Sequence, residues 1–390
     1  MVVIKSILAK DILDSRGEKT ILISIKTNIG NFSASAPNGK SKSKHTTKSY
    51  KKNLEEDIKT IKNFSDYFSK EILQKFYDLR RVEDIIDGHV GANTFFALES
   101  AVLKAIAKEQ SKEIWQLIDS NTKKLPRLVG NCIGGGVHSK SVNKKKPDFQ
   151  EFLLIPNSKS VKKSFEINKK AKEETKEILK EKDKSFKSKK NDENAWETSL
   201  NERQILDIFK KLKLPRGLDI SASSFYKRRV YNYKNPLLKR TEKEQLEYIF
   251  NLIKNFDLLY IEDPFNQEDF ENFARLLKRF PEKLIIGDDL TTTNLKRVEK
   301  AIKMKSINAL IVKPNQIGSL IEVKRICELA KKNNIKIIFS HRSGETEENI
   351  LADLAFGFGA DFFKCGITGK ERETKLNRLI EIERSLKDIK

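Results

Sequence analysis

The most constraining feature of this sequence is a series of short apolar segments after Leu125, each of which ends in a polar or charged residue. In chain order these segments read LVGNCI, FQEFLLIP, GLDIS, LLYIED, LIIGDD, ALIVK, KIIFSHR and FFKCG. From the third segment onward, most are separated by about 20 to 30 residues of helical pattern, the alternation expected of parallel strands joined by helices. We therefore predict a closed eight-stranded α/β barrel over residues 123–390.

The part of the chain before the barrel is predicted to be a smaller α+β domain over residues 1–122. Apolar and β-branched residues predict strands in 3–8 and 20–26, joined through a turn at DSRG. Apolar residues at helical spacing predict helices near 52–75 and 92–110, the second of them packed in the core.

Reactive residues are expected at the carboxyl ends of the barrel strands, because α/β barrels carry their active sites there. The sequence places six candidates at these ends: Asp219, Glu262, Asp288, Lys313, His341 and Lys364. The three acids form an oxygen-only set that suits Mg²⁺ and suits Zn²⁺ poorly. The alternative is that each acid caps the helix that follows it.

Two lysines, Lys313 and Lys364, directly follow apolar residues. Burial there is expected to lower the pKa of a lysine and to fit it to accept a proton. A base beside Mg²⁺ indicates proton abstraction next to a carboxylate, with the metal holding the enediolate. The alternative is that either lysine extends past the barrel rim into solvent.

The chain carries 77 Lys and Arg against 55 Asp and Glu, a formal net charge of +22 that favours anionic partners. We expect a small phosphorylated substrate and treat nucleic acid as a secondary possibility, because no RNP-like run, zinc finger or basic zipper is present. Residues 157–190 hold thirteen lysines and six acids. We interpret them as a solvated helix and a lysine-rich extension.

Apolar runs in the sequence are far shorter than the roughly 20 residues that cross a bilayer, and charges interrupt the first of them. We expect no membrane association and a cytoplasmic location. The cysteines, Cys132, Cys327 and Cys365, lack the spacing of a disulfide framework or a zinc site. We expect them to be buried thiols.

Motifs along nearly the whole chain resemble the enolase (phosphopyruvate hydratase) family. They are LDSRG at 13–17, GAN at 91–93, QEF at 150–152, DE at 192–193, LD-SAS around Asp219, IEDPF at 261–265, GDDL at 287–290, KPNQIG at 313–318 and SHRSGETE at 340–347. The resemblance implies an enolase-type barrel with an N-terminal domain, and a lyase of glycolysis and gluconeogenesis that dehydrates 2-phosphoglycerate to phosphoenolpyruvate. It also implies two Mg²⁺ ions per site and a homodimer or larger assembly; the enolase superfamily pairs a Lys or His base with Mg²⁺.

The resemblance also implies roles for individual residues. Lys313 matches the base that removes the C2 proton, and Glu193 matches the acid that assists departure of the C3 hydroxyl. The ligands of the first Mg²⁺ match Asp219, Glu262 and Asp288, and a loop serine that helps to recruit a second Mg²⁺ matches Ser41. Lys364 and His341 match residues that contact the substrate, and Arg342 and Ser343 match the pair that binds its phosphate. The polar groups around the leaving hydroxyl match Gln150, Glu151 and His138.

Four segments depart from the family pattern next to the site. Residues 38–45 keep Ser41 among lysines, and residues 191–195 lack two glycines. Residues 366–370 replace a segment that contains alanine and arginine, and the family's glycine-rich run reads GGGVH at 134–138. These departures leave two alternatives to an active enolase. One is a diverged paralogue with weak activity or another phosphorylated substrate, and the other is a non-catalytic protein that binds anions or nucleic acid. Retention of the acid, the base and the metal ligands favours an active enzyme.

Overall fold

The amino-terminal part of the protein begins with an antiparallel three-stranded sheet. The computed structural model describes residues 1–40, 44–139 and 145–388. The sheet consists of β1 Ile4–Leu13, β2 Lys19–Thr27 and β3 Asn31–Ser35. Ile21, Ile23 and Ile25 of β2 are buried at alternate positions, which places all three on one face of the sheet. The two predicted strands are confirmed, and β3 is an addition.

Helices follow this sheet in the chain. They are α1 Leu54–Lys62, α2 Ser65–Phe68, α3 Leu79–Ile86, α4 Ala92–Glu109 and α5 Ile114–Ile118. Of these, α1, α2 and α4 pack on the sheet. The helix predicted near 92–110 is confirmed as α4, which packs on β2 and β3. The helix predicted near 52–75 is wrong in its extent, because α1 ends at Lys62. There the Ser65 hydroxyl donates to the Lys62 carbonyl (3.0 Å) and accepts the N–H of Ile7 (3.1 Å), so the serine diverts the backbone from a continuous helix.

The remainder of the chain alternates strands and helices. The strands are β4 Arg127–Gly134, β5 Glu151–Leu154, β6 Trp196–Glu197, β7 Arg216–Asp219, β8 Tyr226–Lys227, β9 Val230–Lys234, β10 Leu237–Thr241, β11 Tyr260–Glu262, β12 Leu284–Gly287, β13 Ala309–Val312, β14 Lys336–Ser340 and β15 Phe362–Lys364. The helices are α6 Val161–Lys182, α7 Glu202–Lys211, α8 Glu242–Phe256, α9 Phe270–Arg279, α10 Leu295–Lys303, α11 Leu320–Lys332, α12 Ile350–Gly357 and α13 Lys370–Asp388.

Eight of these strands close into a barrel in the order β4, β5, β7, β11, β12, β13, β14 and β15, with β15 pairing back onto β4. These are the eight predicted strands, so the predicted barrel is confirmed. Strand β5 runs antiparallel to both of its neighbours, while the other barrel pairs are parallel. An antiparallel pair needs no helical crossover, which explains why β4 and β5 are joined without a long helix. The barrel interior is filled by buried side chains that include Val129, Leu153, Tyr260, Ile286, Ile311 and Ile338.

A small antiparallel sheet of β8, β9 and β10 is inserted between β7 and α8, and the sequence did not predict it. Arg228 and Arg229 form the turn between β8 and β9, with φ angles of 55° and 63°. This left-handed conformation costs about 1–2 kcal/mol for a residue with a side chain, and glycine or asparagine usually occupies it. The hairpin therefore holds two arginines in a strained turn.

The helix predicted in the lysine-rich segment 157–190 is confirmed as α6, but the expectation that it is solvated is wrong for one of its faces. Helix α6 is amphipathic and packs on β4 and α13. Its Lys172 is 1% exposed, with the ammonium bonded to the Asn194 carbonyl and the Thr368 hydroxyl and 5.4 Å from the ring centroid of Trp196. The number of charged residues did not indicate this buried face, because lysines also occupy the exposed face of the helix.

Lys172 is expected to make the stability of the folded protein depend on pH. Burial lowers its pKa to about 8 from the ordinary 10.5. Between these values the unfolded chain binds the proton more tightly than the folded protein, so stability rises with pH. Between pH 8 and 10.5, the free energy of unfolding of wild type should rise by up to about 3 kcal/mol relative to that of Lys172→Met. Urea denaturation at both ends of this range measures the difference. Lys170→Met, at an exposed position of the same helix, should show no such gain, and parallel curves for all three proteins would contradict the assignment.

None of the helices in the described ranges is long and apolar enough to cross a membrane. All three cysteines are buried and free, as predicted.

Candidate active site

The strand register brings one buried charged cluster together at the carboxyl ends of the barrel strands. Asp219 lies opposite Glu262 of β11 and opposite Glu151 of β5. Lys364 reaches across the barrel, with Nζ 2.9 Å from Oδ2 of Asp219, 2.9 Å from both carboxylate oxygens of Glu262 and 3.3 Å from Oε1 of Glu151. One ammonium therefore faces three carboxylates.

This cluster holds more acid than its lysine can neutralise. Burial, and next the charge of Asp219, raises the pKa of Glu262 to about 8. Burial and the charge of Glu193 raise the pKa of Glu151 well above its ordinary value. Burial opposes the charge of Lys364, but Asp219 and Glu151 outweigh it and raise the pKa of the lysine. The cluster is therefore suited to a further cation.

Lys313 follows β13 and hydrogen-bonds to Oδ2 of Asp288. Burial opposes the charge of Lys313, but the carboxylate of Asp288 outweighs it and raises the pKa of the lysine. The expectation that burial would lower the pKa of Lys313 and Lys364 is therefore wrong for this structure, because both ammonium groups face carboxylates. Their side chains are 12% and 2% exposed, so neither lysine extends past the rim into solvent.

The predicted metal ligands are not helix caps. The helices after β11 and β12, α9 and α10, are capped by Asp269 and Asn294. Within the described ranges, the carboxylates whose oxygens all lie within 4.8 Å of one another belong to Asp263, Asp288 and Asp289. Asp263 accepts the backbone N–H groups of both other residues (3.1 and 2.6 Å), so it shapes the turn after β12. Of the three predicted metal ligands, only Asp288 belongs to this group of carboxylates.

Glu193 lies on another wall of the site, between two histidines. Nδ1 of His138 is 3.6 Å from its Oε1, and Nε2 of His341 is 3.7 Å from its Oε2. Asn131 donates to Oε2 at 2.8 Å. Burial alone would raise the pKa of Glu193, but His138 and His341 outweigh it and lower the pKa, while burial lowers the pKa of both imidazoles.

The turn that carries Glu193 lacks the family's glycines and is built from asparagines instead. Asn194 has φ 60°, in the left-handed region that asparagine tolerates better than most residues. The side-chain oxygen of Asn191 accepts the N–H groups of Glu193 (3.0 Å) and Ala195 (2.9 Å). Lys172 of α6 holds the carbonyl of Asn194. These contacts place Glu193 in the site without the glycines.

Arg342 and Ser343 follow β14 and form a cationic wall. Oγ of Ser343 accepts the backbone N–H of Lys40 (3.0 Å) and Nη1 of Arg16 (3.2 Å). The guanidinium of Arg342 lies directly against Gly39, where a Cβ atom would fall 1.5 Å from Nη2. A side chain at position 39 would therefore force the Arg342 guanidinium to move.

Two cations that the sequence analysis missed join the loops around the site. Nζ of Lys40 donates to Oδ2 of Asp192 at 2.8 Å, which links the amino-terminal loop to the turn of Glu193. The buried Arg372 donates to the carbonyls of Asp192 and Ser343, both at 3.1 Å. The sequence carries no signal for the first contact, because Lys40 is one of many lysines in its loop and lies 152 positions from its partner.

The predicted residues line one small cavity of about 20 Å³, together with Gly39 and Lys40. The predicted residues in this lining are His138, Gln150, Glu151, Glu193, Asp219, Lys313, His341, Arg342, Ser343 and Lys364. Glu262 and Asp288 are not part of the lining, and Ser41 lies outside the described residues. Several buried atoms of the lining have no hydrogen-bond partner in the described part of the chain: Nδ1 of His138, Oε1 of Gln150, Oε2 of Glu151 and both ring nitrogens of His341. Since buried polar atoms are rarely left unpaired, these atoms are available to bind a polar ligand.

Comparisons with known proteins match nearly the whole length of the chain. The family model of the enolase C-terminal TIM barrel domain matches residues 122–390, and the model of the enolase N-terminal domain matches residues 4–118. A protein named enolase from Pyrobaculum aerophilum is 38% identical over 309 aligned positions, covering 75% of this chain and 72% of the relative. The enolase of Methanosphaera stadtmanae is 34% identical, and the alignment covers 98% of this chain and 97% of the relative. The enolase of Sulfurisphaera tokodaii is 36% identical, and the alignment covers 97% of this chain and 95% of the relative.

Proposed function

Because this chain belongs to the enolase family, we propose that it dehydrates 2-phosphoglycerate to phosphoenolpyruvate as a hydro-lyase. The observation that carries the proposal is the small buried cavity, in which a lysine, two glutamates and an arginine–serine pair face one another. A fold alone does not determine an activity, but these groups supply the base, the acid and the anion site that the reaction needs.

Substrate binding is assigned to Arg342 and Ser343. The guanidinium fork of Arg342 matches two phosphate oxygens, and the Ser343 hydroxyl adds a short hydrogen bond. Lys364 and His341 contact the remainder of the substrate, and Gln150 and His138 lie around the leaving hydroxyl.

The reaction divides between two walls of the cavity. Lys313 removes the proton from C2. Its ammonium now donates to Asp288, and a cation held by Asp288 would compete for that carboxylate and so favour the neutral lysine. Glu193, assisted by Glu151, supplies a proton from the other side of the substrate. That proton passes to the C3 hydroxyl as the C3–O bond breaks, and the hydroxyl leaves as water.

Asp219, Glu262 and Asp288 are proposed to hold Mg²⁺, and the loop with Ser41 is proposed to recruit a second ion. The residues fit such an ion, since they offer oxygen ligands only and the raised pKa of Glu262 marks uncompensated buried charge. When bound, the metal supplies positive charge to the enediolate formed on loss of the C2 proton.

The direct test is phosphoenolpyruvate formation from 2-phosphoglycerate, followed by ultraviolet absorbance with Mg²⁺ and with EDTA. We expect turnover with the metal and loss of turnover with the chelator. A folded protein that binds Mg²⁺ but shows no turnover would contradict the proposal. Other phosphorylated acids would then be tested, followed by nucleic acid.

The bridge between Lys40 and Asp192 is expected to support turnover by holding the loop of Glu193. The side chain of Lys40 is 30% exposed, and such ion pairs contribute about 0.5–1 kcal/mol. Lys40→Ala should therefore lower kcat about two- to fivefold, and the effect should shrink at high salt. A double-mutant cycle with Asp192→Asn measures the coupling. The exposed Lys48→Ala should leave kcat unchanged, and strictly additive effects of the two substitutions would show that the bridge has no catalytic role.

We further propose the division into domains at 122/123, a homodimeric assembly and a cytoplasmic location. Separate family models for residues 4–118 and 122–390 support the division, and light scattering of the purified protein tests the assembly.

A further inference from the structure

A second and larger cavity, of about 740 Å³, lies between residues 136–137, residues 146–148 and the β8–β10 hairpin. Its volume is within the range of pockets that hold small molecules, and no step of the proposed reaction uses it. The charged residues of its lining are five cations and one acid: Lys146, Lys227, Arg228, Lys234, Lys239 and Asp148.

The protein neutralises only part of the positive charge of this cavity. None of the five cations forms an ion pair within 4.0 Å with a residue that the structure describes. Asp148 is engaged by the backbone, because its carboxylate accepts the N–H groups of Lys234 and Asn235, both at 2.9 Å. Burial, and next the charge of Lys234, lowers the pKa of Lys146. An anion would relieve this repulsion.

The concentration of cations does not simply follow from the net charge of the chain. A surface cavity of about 270 Å³ elsewhere in the fold is lined by one arginine and by four acids: Glu83, Asp84, Asp87 and Glu322. The lysines and arginines are therefore distributed unevenly, and the larger cavity collects them.

The hairpin presents one of these cations at a conformational cost. Arg228 lines the cavity from the β8–β9 turn, where it and Arg229 are held at positive φ. Strained backbone positions of this kind occur preferentially at ligand sites. A turn of glycine or asparagine would relieve the strain but would remove the guanidinium.

We propose that this cavity binds a small molecule that carries two or more phosphate groups, at a site separate from the proposed active site. Arg228 offers a fork for phosphate oxygens, and the lysines offer point charges around it. Nζ of Lys146 also donates to the carbonyls of Gly136 (2.6 Å) and Ser139 (2.7 Å), on either side of His138. The cavity therefore shares a wall with the segment that carries this histidine.

The test titrates the full-length protein in EDTA with inorganic tripolyphosphate and, separately, with adenosine triphosphate, by calorimetry. Hydrogen exchange locates the ligand, and protection is expected in residues 226–241 and 145–148. Equal affinities would identify the phosphate chain as the recognised group, and tighter binding of the nucleotide would identify a nucleoside polyphosphate; both support the proposal.

Matched variants distinguish binding in this cavity from nonspecific attraction to the positive charge of the whole protein. Lys234→Gln with Lys239→Gln should weaken tripolyphosphate binding about tenfold or more. Lys296→Gln with Lys303→Gln removes the same charge at exposed positions outside the cavity and should change the affinity little. Equal weakening in both variants would overturn the proposal, as would protection confined to residues 38–40 and 342–343. A single-stranded oligonucleotide that displaces tripolyphosphate would overturn it in favour of a nucleic-acid surface.

Discussion

Lys313→Ala is expected to lower kcat for phosphoenolpyruvate formation by about 10³- to 10⁴-fold. General-base catalysis contributes about 10²- to 10⁴-fold, and the other two lysines described in the lining of the cavity are already engaged. Lys364 is held by three carboxylates, and Lys40 is engaged by Asp192. Steady-state rates at saturating Mg²⁺ and 2-phosphoglycerate measure the effect.

A second readout separates loss of the base from loss of the fold. Exchange of the C2 proton with solvent should disappear in Lys313→Ala but persist in Glu193→Gln, because the two residues act on different bonds. The exposed Lys296→Ala serves as the control for both assays and should match wild type. Exchange that survives in Lys313→Ala would assign the base to another residue.

The barrel was predictable because its strands are buried on both faces and therefore read as continuous apolar segments. The β8–β10 hairpin did not show this signal, since β10 alternates exposed and half-buried residues on the surface. The extent of α1 was missed for a different reason. Its end depends on a contact between Ser65 and β1, which no local pattern records.

The positions of the site residues followed from the strand ends, but their electrostatics did not. The pKa of Lys313 rises because Asp288 reaches it from the neighbouring strand, a through-space effect that burial alone predicts with the wrong sign. Lys172 was likewise hidden in a run of lysines, although it is buried and supports the turn of Glu193. Composition counts charges, whereas the fold decides which of them face one another.

The largest effect on stability is expected for Lys364→Met. Removing one partner of a buried charge cluster destabilises a protein by about 3–5 kcal/mol, and here three carboxylates would be left facing one another. We expect a loss of this size in urea denaturation at pH 8 in EDTA. Mg²⁺ should recover much of it, because the ion can occupy the place of the ammonium.

The pH dependence of this loss follows from the raised pKa of Glu262, about 8 in the folded protein against an ordinary value of 4.5. Between these values the folded state binds the proton more tightly than the unfolded state, so metal-free stability falls as pH rises. Removal of Lys364 strengthens the repulsion among the ionised carboxylates. The difference between Lys364→Met and wild type should therefore be small at pH 5 and largest at pH 8.

A second buried ion pair distinguishes recovery by metal from general stabilisation by salt. Lys375 and Glu345 are 2.7 Å apart, and both side chains are 2% exposed. Lys375→Met should lose comparable stability in EDTA, and its deficit relative to wild type should persist in Mg²⁺, since one carboxylate beside the backbone carbonyl of Thr346 is not a metal site. Equal recovery of both variants would show that Mg²⁺ acts on the whole protein, whereas recovery of Lys364→Met alone places the ion among Asp219, Glu262 and their neighbours.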